Sequence, residues 1–271
     1  MLLCVLALVD TARLCTYSSR FSVAISGVSL LSLTKASCPL FIFSTYSIKY
    51  FASWTIVMIT IERVICVVYP LKARVLCTKK STAIAIFSMF AFFSLLNSHI
   101  LKYARIQDSG NCRLSTTPRF GLYENYNDFW NKLWLRVDLC IYSVIPFTAI
   151  LICNCILIKK VRKSQSKQKE LQTRMTSDDE ASESRMISMT RMLITVSLTF
   201  ILLTLPTSIY FVARGMIVIQ SKEQSYALQL AYAITTMISL VNHSINFLLY
   251  CLSGTQFRRE VYLMFKGQKR P

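Results

Sequence analysis

A carboxylate in an apolar run is the first position of this chain that could do chemistry. Asp10 directly follows the apolar residues 1–9. An ionisable side chain deep in a membrane span costs about 3 kcal/mol or more unless polar neighbours compensate it, and such side chains mark switches, ion paths or binding sites. Asn242 and Asn246, on the last apolar segment, are the neighbours that we predict for a buried polar cluster. The other interpretation is a half-exposed carboxylate at a frayed helix start.

A second charged pair stands near the end of an apolar segment. Glu62 and Arg63 precede the run VICVVYPL of residues 64–71. The arginine can pair with the adjacent carboxylate, and breaking that pair when helices move would present the guanidinium to a cytoplasmic partner. The other interpretation is a snorkelling arginine that only anchors the helix end at the lipid boundary.

The remaining candidate groups form neither a metal-binding nor a catalytic pattern. Ten cysteines are scattered without a CxxC motif, and His99 and His243 lie in different apolar segments. Most of the cysteines are interpreted as small buried hydrophobic residues. The sequence has no HExxH or GxSxG motif and no paired intramembrane aspartates. We therefore predict neither an enzyme, nor a metal site, nor a cofactor.

The elements that must position these groups are membrane-spanning helices. The composition is 54% hydrophobic, with six glycines and six prolines in 271 residues, which is typical of neither a soluble domain nor a disordered chain. A bilayer span needs about 20 apolar residues. We predict a single membrane domain, an all-α integral membrane helical bundle, followed by an amphipathic helix over residues 253–265. Its spans cover about residues 1–24, 38–68, 81–101, 136–158, 188–213 and 227–250.

The distribution of basic residues predicts the orientation. The net charge of +18 lies largely in loops and not on a basic face with interleaved aromatic residues, so nucleic acid is not an expected partner. Lysines and arginines are concentrated in segments 72–80, 159–187 and 251–271, which lie on one side of a six-span bundle. That side is cytoplasmic by the positive-inside rule. We therefore expect a multi-pass protein of the plasma membrane, with the lipid bilayer as its surroundings.

Two cysteines differ from the rest because this topology places both on the outer side. Cys38 stands at the outer end of the second span, and Cys112 lies in the polar loop SGNCRLST. A disulfide can persist in that oxidising environment. We predict a Cys38–Cys112 bridge that holds the long outer loop, about residues 102–135, across the mouth of the bundle.

Motifs in a fixed order then give the chain a resemblance to a known family. They are LALVD at 6–10, ERVICVVYPL at 62–71, IPF at 145–147, FILLTLP at 200–206 and NHSINFLLYCLSGTQF at 242–257. With these motifs, nearly the whole chain resembles a rhodopsin-like (class A) G-protein-coupled receptor that lacks its first transmembrane helix. The resemblance implies a seven-transmembrane receptor fold of which the second to seventh helices are present.

The resemblance also implies roles for individual residues. The residues expected in G-protein coupling and switching are Glu62, Arg63, Val64, Pro70, Leu71, Asn246 and Tyr250. Those expected at hinges are Pro146, Pro206 and Phe200, since a proline inside a span removes a backbone hydrogen bond and bends the helix. Cys38 stands 25 residues before Arg63, which is the family spacing for the cysteine bridged to the second outer loop.

The chain also departs from the family pattern. The cluster around Asp10 corresponds to the family's sodium pocket, but Ala52 stands where many members have a hydroxyl, which weighs against sodium. Thr204 replaces the usual sixth-helix tryptophan, Asn154 the fifth-helix tyrosine and Phe247 the seventh-helix proline. These departures weigh against the standard activation contacts and leave the predicted fold unchanged.

The ligand expected from the resemblance is a peptide. Thr45 stands where receptors for biogenic amines place an aspartate, so an amine would lack its counter-ion. The runs 70–78 and 242–254 resemble invertebrate neuropeptide receptors of the FMRFamide kind. We therefore expect an extracellular neuropeptide ligand and activation of a heterotrimeric G protein. The outer-loop aromatics could contact the peptide or form a membrane-interface belt; they are Phe120, Tyr123, Tyr126, Phe129 and Trp130.

Two other functions stay open at this point. An ion or solute transporter or channel could line its path with Asp10, Asn242 and Asn246, although the repeated halves with broken helices that transporters tend to show are not evident. A truncated, non-signalling receptor fragment is the other possibility, because Met1 begins partway into a helix.

Overall fold

The structure is a computed structural model that describes residues 1–26, 37–106, 112–114, 125–171, 177–217 and 220–253. The helices, in chain order, are α1 (Leu2–Ser26), α2 (Ser37–Val68), α3 (Pro70–Leu76), α4 (Lys79–Asn97), α5 (His99–Tyr103), α6 (Tyr126–Phe129), α7 (Leu135–Leu139), α8 (Ile145–Leu171), α9 (Ser177–Met216) and α10 (Lys222–Ser253). The strands are β1 (Ala104–Ile106) and β2 (Cys112–Leu114). The predicted helical membrane bundle is confirmed. Apart from Ser253, the predicted amphipathic helix lies outside the described residues.

Four of the described helical stretches are long and apolar enough to cross a membrane. They are Ser37–Val68, Lys79–Tyr103, Trp130–Lys163 and Thr190–Arg214. Many of their large apolar side chains are exposed on the outside of the bundle, including Phe87, Ile152 and Leu202. Such a surface suits lipid and not water.

Helix α2 lies at the centre of the bundle and contacts α1, α4, α8 and α9. In its inner half it packs with the other helices in an apolar cluster that includes Leu6, Ile56, Phe147, Ile150 and Phe200. Phe147 and Phe200 meet edge to face, with ring centroids 5.7 Å apart. Because lipid is as apolar as these side chains, close packing and not exclusion from water holds this half together.

The helical stretch before α8 contains two π-helical segments. Trp130–Trp134 joins α6 to α7, and Cys140–Val144 joins α7 to α8, so residues 126–171 are helical throughout. The second segment ends two residues before Pro146, which cannot donate a backbone hydrogen bond. π-Helical turns of this kind bend helices and often occur at functional sites.

The early start of this helix corrects the prediction for the outer loop. Residues 126–135 are helical and not part of the loop, and Tyr126, Phe129 and Trp130 are buried in an aromatic cluster on the outer side of the bundle. His99 Nδ1 lies 2.7 Å from the Tyr126 hydroxyl, and burial raises the pKa of this phenol. These three aromatics are therefore core residues, neither a ligand surface nor an interface belt. Phe120 and Tyr123 lie outside the described residues.

The hairpin of β1 and β2 covers part of this outer cluster. The two strands pair antiparallel, with Ala104 opposite Leu114 and Ile106 opposite Cys112, and β1 contacts α2. Cys38 at the start of α2 is fully buried and disulfide-bonded. The side chain of Cys112 is not among those described, so the Cys38–Cys112 pairing stays a prediction.

Candidate functional site

A polar pocket lies among α1, α2, α9, α10 and the π-helical segment before α8. Two basic side chains, Arg13 and Lys49, contribute to its wall. The aromatic rings that line it are Tyr17, Tyr46, Tyr142, Phe211 and Tyr232. Because α2 starts on the predicted outer side, the position of Lys49 in its first half places the pocket in the outer half of the bundle.

Lys49 is neutralised by a buried carboxylate. Its Nζ lies 2.6 and 2.7 Å from the two carboxylate oxygens of Asp138 on α7, and the Tyr50 hydroxyl donates to the same carboxylate at 2.6 Å. The ammonium also lies 4.5 Å from the centre of the Tyr142 ring. Both charged residues are more than nine-tenths buried. The ion pair therefore joins α2 to α7 and neutralises the charge of Lys49.

Arg13 is the second buried base, with only 3% of its surface exposed. One guanidinium nitrogen donates to the backbone oxygen of Thr45 at 3.0 Å, and the other donates to the Tyr17 hydroxyl at 3.2 Å. The guanidinium carbon also lies 4.6 Å from the centre of the Tyr17 ring. Sequence reasoning missed Arg13, Lys49 and Asp138. The signal that singled out Asp10, a charge within an apolar segment, applies to all three.

The partner of Asp10 is a histidine that was not predicted. His243 Nδ1 lies 2.7 Å from Asp10 Oδ1, and both side chains are buried, so the contact joins α1 to α10. Asn242 is fully buried beside it in sequence, and neither atom of its amide has a hydrogen-bond partner among the described residues. The side chain of Asn246 is not described. In the described part, Asp10 therefore contacts His243, and the predicted cluster of Asp10, Asn242 and Asn246 stays a prediction.

The described residues around Asp10 offer few oxygen ligands to a sodium ion. Hard cations take several oxygen ligands. The imidazole nitrogen of His243 contacts one oxygen of the carboxylate, and Ala52 on the neighbouring α2 supplies no oxygen. Among the described residues, no group of three or more His, Cys, Asp and Glu side chains could hold a metal ion.

The inner end of α2 differs from the prediction in one contact. No ion pair within 4.0 Å joins Glu62 to Arg63 in the described structure. The reason is geometric, because adjacent residues on a helix point in different directions and only residues three or four apart face each other. The Arg63 Nε atom is buried without a hydrogen-bond partner among the described residues. Val64 is partly buried.

Helix α3 follows directly and presents apolar side chains at the same end of the bundle. Pro70 is its first residue, where a missing N–H costs nothing. Leu71 is 80% exposed and Val75 is 74% exposed. The side chain of Tyr250, the remaining predicted switch residue, is not described.

Of the predicted hinge residues, Pro206 directly precedes the pocket residue Thr207, and Phe200 belongs to the inner apolar cluster. Pro206 is inside α9, and Thr204, in place of the family tryptophan, is fully buried and donates to the Phe200 carbonyl at 2.6 Å. Close by, the hydroxyls of Ser143 and Ser208 lie 2.5 Å apart and join α9 to the π-helical segment before α8. Whether Pro146, Pro206 and Phe200 act as hinges stays a prediction.

The fold and the site together define a multi-pass helical membrane protein with a polar pocket in its outer half. The family model described as 7 transmembrane receptor (rhodopsin family) matches residues 1–250. The chain belongs to this family, which is a family of receptors and not of enzymes.

Two relatives are similar over most of this chain. The FMRFamide receptor of Drosophila melanogaster is 27% identical over 220 residues, covering 76% of this chain and 36% of the relative. The Sex peptide receptor-related protein 2 of Caenorhabditis elegans is 22% identical over 235 residues, covering 79% of this chain and 51% of the relative. The matched region thus spans about half of these relatives or less.

Proposed function

We propose that this chain is the membrane domain of a plasma-membrane receptor that binds an extracellular peptide and activates a heterotrimeric G protein. The observation that carries the proposal is the buried polar pocket in the outer half of a rhodopsin-family bundle. The names of the two relatives, an FMRFamide receptor and a sex peptide receptor-related protein, favour a peptide as the ligand.

The charges of the pocket also favour a peptide over a small amine. An amine needs a carboxylate counter-ion, but Asp138 is already paired with Lys49, and Thr45 is neutral. The wall of aromatic rings offers the amphipathic contact area that peptide side chains use in hot spots.

A ligand in this pocket can act on helix positions because the wall belongs to α1, α2, α9, α10 and the π-helical segment before α8. Binding shifts a conformational equilibrium only by its different affinity for the two states. A ligand that contacts both Thr207 on α9 and Thr45 on α2 senses the distance between these helices. Below it, the Ser143–Ser208 contact and Pro206 lie on the route to the inner core.

The inner end supplies a surface for a G protein. Arg63 has a buried guanidinium nitrogen without a partner among the described residues, and a G-protein helix entering the bundle could supply the acceptor. Leu71 and Val75 on α3 are exposed apolar side chains that a cytoplasmic partner would bury.

Peptide-stimulated nucleotide exchange tests this proposal. The purified 271-residue chain in lipid nanodiscs, mixed with a heterotrimeric G protein, should accelerate nucleotide exchange when FMRFamide is added. Arg63→Ala should lose most of the stimulation, whereas Lys102→Ala, an exposed base on the outer side, should keep it. Absence of stimulation together with peptide-dependent ion flux through liposomes would instead establish a transporter or channel.

A further inference from the structure

Among the described residues, the pocket contains one buried basic side chain, Arg13, that no carboxylate contacts. Lys49 is paired with Asp138, so its charge is cancelled. Asp10, three residues from Arg13 on α1, has its carboxylate at His243. The described residues place no carboxylate within 4.0 Å of the Arg13 guanidinium. A buried cation without a counter-ion is costly, and the cost falls when an anion binds next to it.

The hydrogen bonds of Arg13 are incomplete as well. A guanidinium has five N–H donors, and the structure supplies acceptors for two of them, the Thr45 carbonyl and the Tyr17 hydroxyl. The Nε atom is buried without a partner among the described residues. The hydroxyl of Thr236, on the α10 wall of the same pocket, is also buried and has no partner there.

A purely structural role for Arg13 does not account for this arrangement. A link between α1 and α2 needs one donor, and a neutral glutamine or tyrosine would supply it without burying a charge. The planar fork of a guanidinium instead matches the two oxygens of a carboxylate. Aromatic rings, among them Tyr17 and Tyr232, line the same space.

We infer that Arg13 is a ligand anchor and that this pocket prefers ligands with a carboxylate next to an aromatic group over the corresponding amides. The carboxylate binds the open fork of Arg13, Thr236 donates a further hydrogen bond, and the aromatic group packs against the pocket rings. A peptide can offer this carboxylate at its carboxyl terminus or on an acidic side chain. The inference rests on the proposed function only in taking the pocket as the ligand site.

The first test uses two small probes of matched size, 3-phenylpropionate and 3-phenylpropanamide, of which only the first carries a charge. Hydrogen bonds to charged groups are worth enough to change affinity by about 10-fold to 100-fold. We expect the wild-type chain in nanodiscs to bind the carboxylate at least tenfold more tightly than the amide, measured by saturation-transfer NMR. Arg13→Gln should abolish this preference, and Arg136→Gln, an exposed arginine on α7, should retain it.

A further variant and three peptides complete the design. Arg13→Lys keeps the charge but not the fork, so it should keep a weakened preference even if Arg13→Gln does not fold. Three peptides then identify the source of the carboxylate: FMRFamide, its free-acid form, and FMRFamide extended by an amino-terminal aspartate. Only the peptide whose carboxylate binds Arg13 should bind more tightly than FMRFamide.

Two results would overturn the inference. One is equal binding of the carboxylate and the amide probe to the wild-type chain. The other is an unchanged carboxylate preference in both Arg13 variants. Stimulation of a G protein by FMRFamide alongside either result would leave the proposed receptor function standing and remove only the role of Arg13. A carboxylate preference without G-protein stimulation by any of the peptides would leave the role of Arg13 standing and argue against the proposed receptor function.

Discussion

The outer and inner halves of the bundle are held together by different interactions. In the outer half, buried charged groups make specific contacts between helices, such as Lys49 with Asp138 and Arg13 with the Thr45 carbonyl. In the inner half, the core is mainly apolar, with Ile150 as one of its fully buried members, although the Asn154 amide donates to the Ser197 hydroxyl between α8 and α9 at 2.7 Å.

The two kinds of interaction differ in how strictly they fix the positions of the helices. Hydrogen bonds and ion pairs require one geometry, so they fix the walls of a pocket. Apolar contacts are non-directional, so packed helices can slide or tilt past one another at smaller cost. We therefore propose that the outer half recognises the ligand and that the conformational change occurs in the inner half.

The largest effect should come from breaking the outer ion pair. Asp138→Ala leaves Lys49 buried and unpaired, and we expect a loss of about 3–5 kcal/mol in stability. Thermal unfolding in detergent measures it. Lys132→Ala removes an exposed pair with Asp128 and should cost about 1 kcal/mol or less. Equal losses for the two variants would mean that the outer half is not held by its buried charges.

Cavity formation in the inner half should come next. Ile150→Ala removes buried volume from the apolar core and should cost about 2–4 kcal/mol in the same unfolding assay. Ile152→Ala, on the lipid-facing side with 56% exposure, should change stability by about 0.5 kcal/mol or less. Volume-conserving Ile150→Leu should cost under about 1.5 kcal/mol. A large loss for this last variant would argue that the inner half also requires one geometry.

A smaller loss is expected at the contact between α1 and α10. His243→Phe removes one hydrogen-bond partner of Asp10 while keeping an aromatic ring, and we expect a cost of about 1–3 kcal/mol because the carboxylate stays buried. His99→Phe, which removes the contact with Tyr126 in the outer aromatic cluster, provides the matched comparison. If His243→Phe were as stable as the wild-type chain, Asp10 would have another compensating group.

The smallest effect concerns sodium. Because His243 occupies one oxygen of Asp10 and Ala52 supplies none, replacing sodium by potassium should leave the unfolding temperature of the wild-type chain unchanged. Unfolding curves recorded at equal ionic strength measure this. Stabilisation by sodium that disappears in Asp10→Asn would show that the ion displaces the histidine.

The sequence predicted the helical bundle because apolar segments of membrane length are local patterns. It also singled out Asp10, since one charge within an apolar run needs no partner to be noticed. The same reasoning could not identify which residues these charged side chains contact. Lys49 and Asp138 are 89 residues apart, and Asp10 and His243 are 233 apart, so only the packing of the helices brings them together.

Two errors have local causes. Glu62 and Arg63 were paired because they are adjacent in sequence, although adjacent helical residues point apart. Tyr126 and Trp130 were placed in a loop because the predicted span starts only at about residue 136, whereas the helix begins at Tyr126 and continues through a π-helical segment. The π-helical segments have no clear pattern in the sequence, so the start of this helix could be placed only from the structure.

Distance measurements at the two ends of the bundle test the central claim most directly. Spin labels introduced as non-natural residues at the exposed Lys80, near the start of α4, and the exposed Arg191, near the start of the apolar span of α9, report on the inner half. Labels at Lys102 and Val212 report on the outer half in the same way. On adding FMRFamide and G protein, the account predicts that the inner distance grows by about 5 Å while the outer distance stays nearly constant. A change confined to the outer pair, or equal changes at both ends, would contradict it.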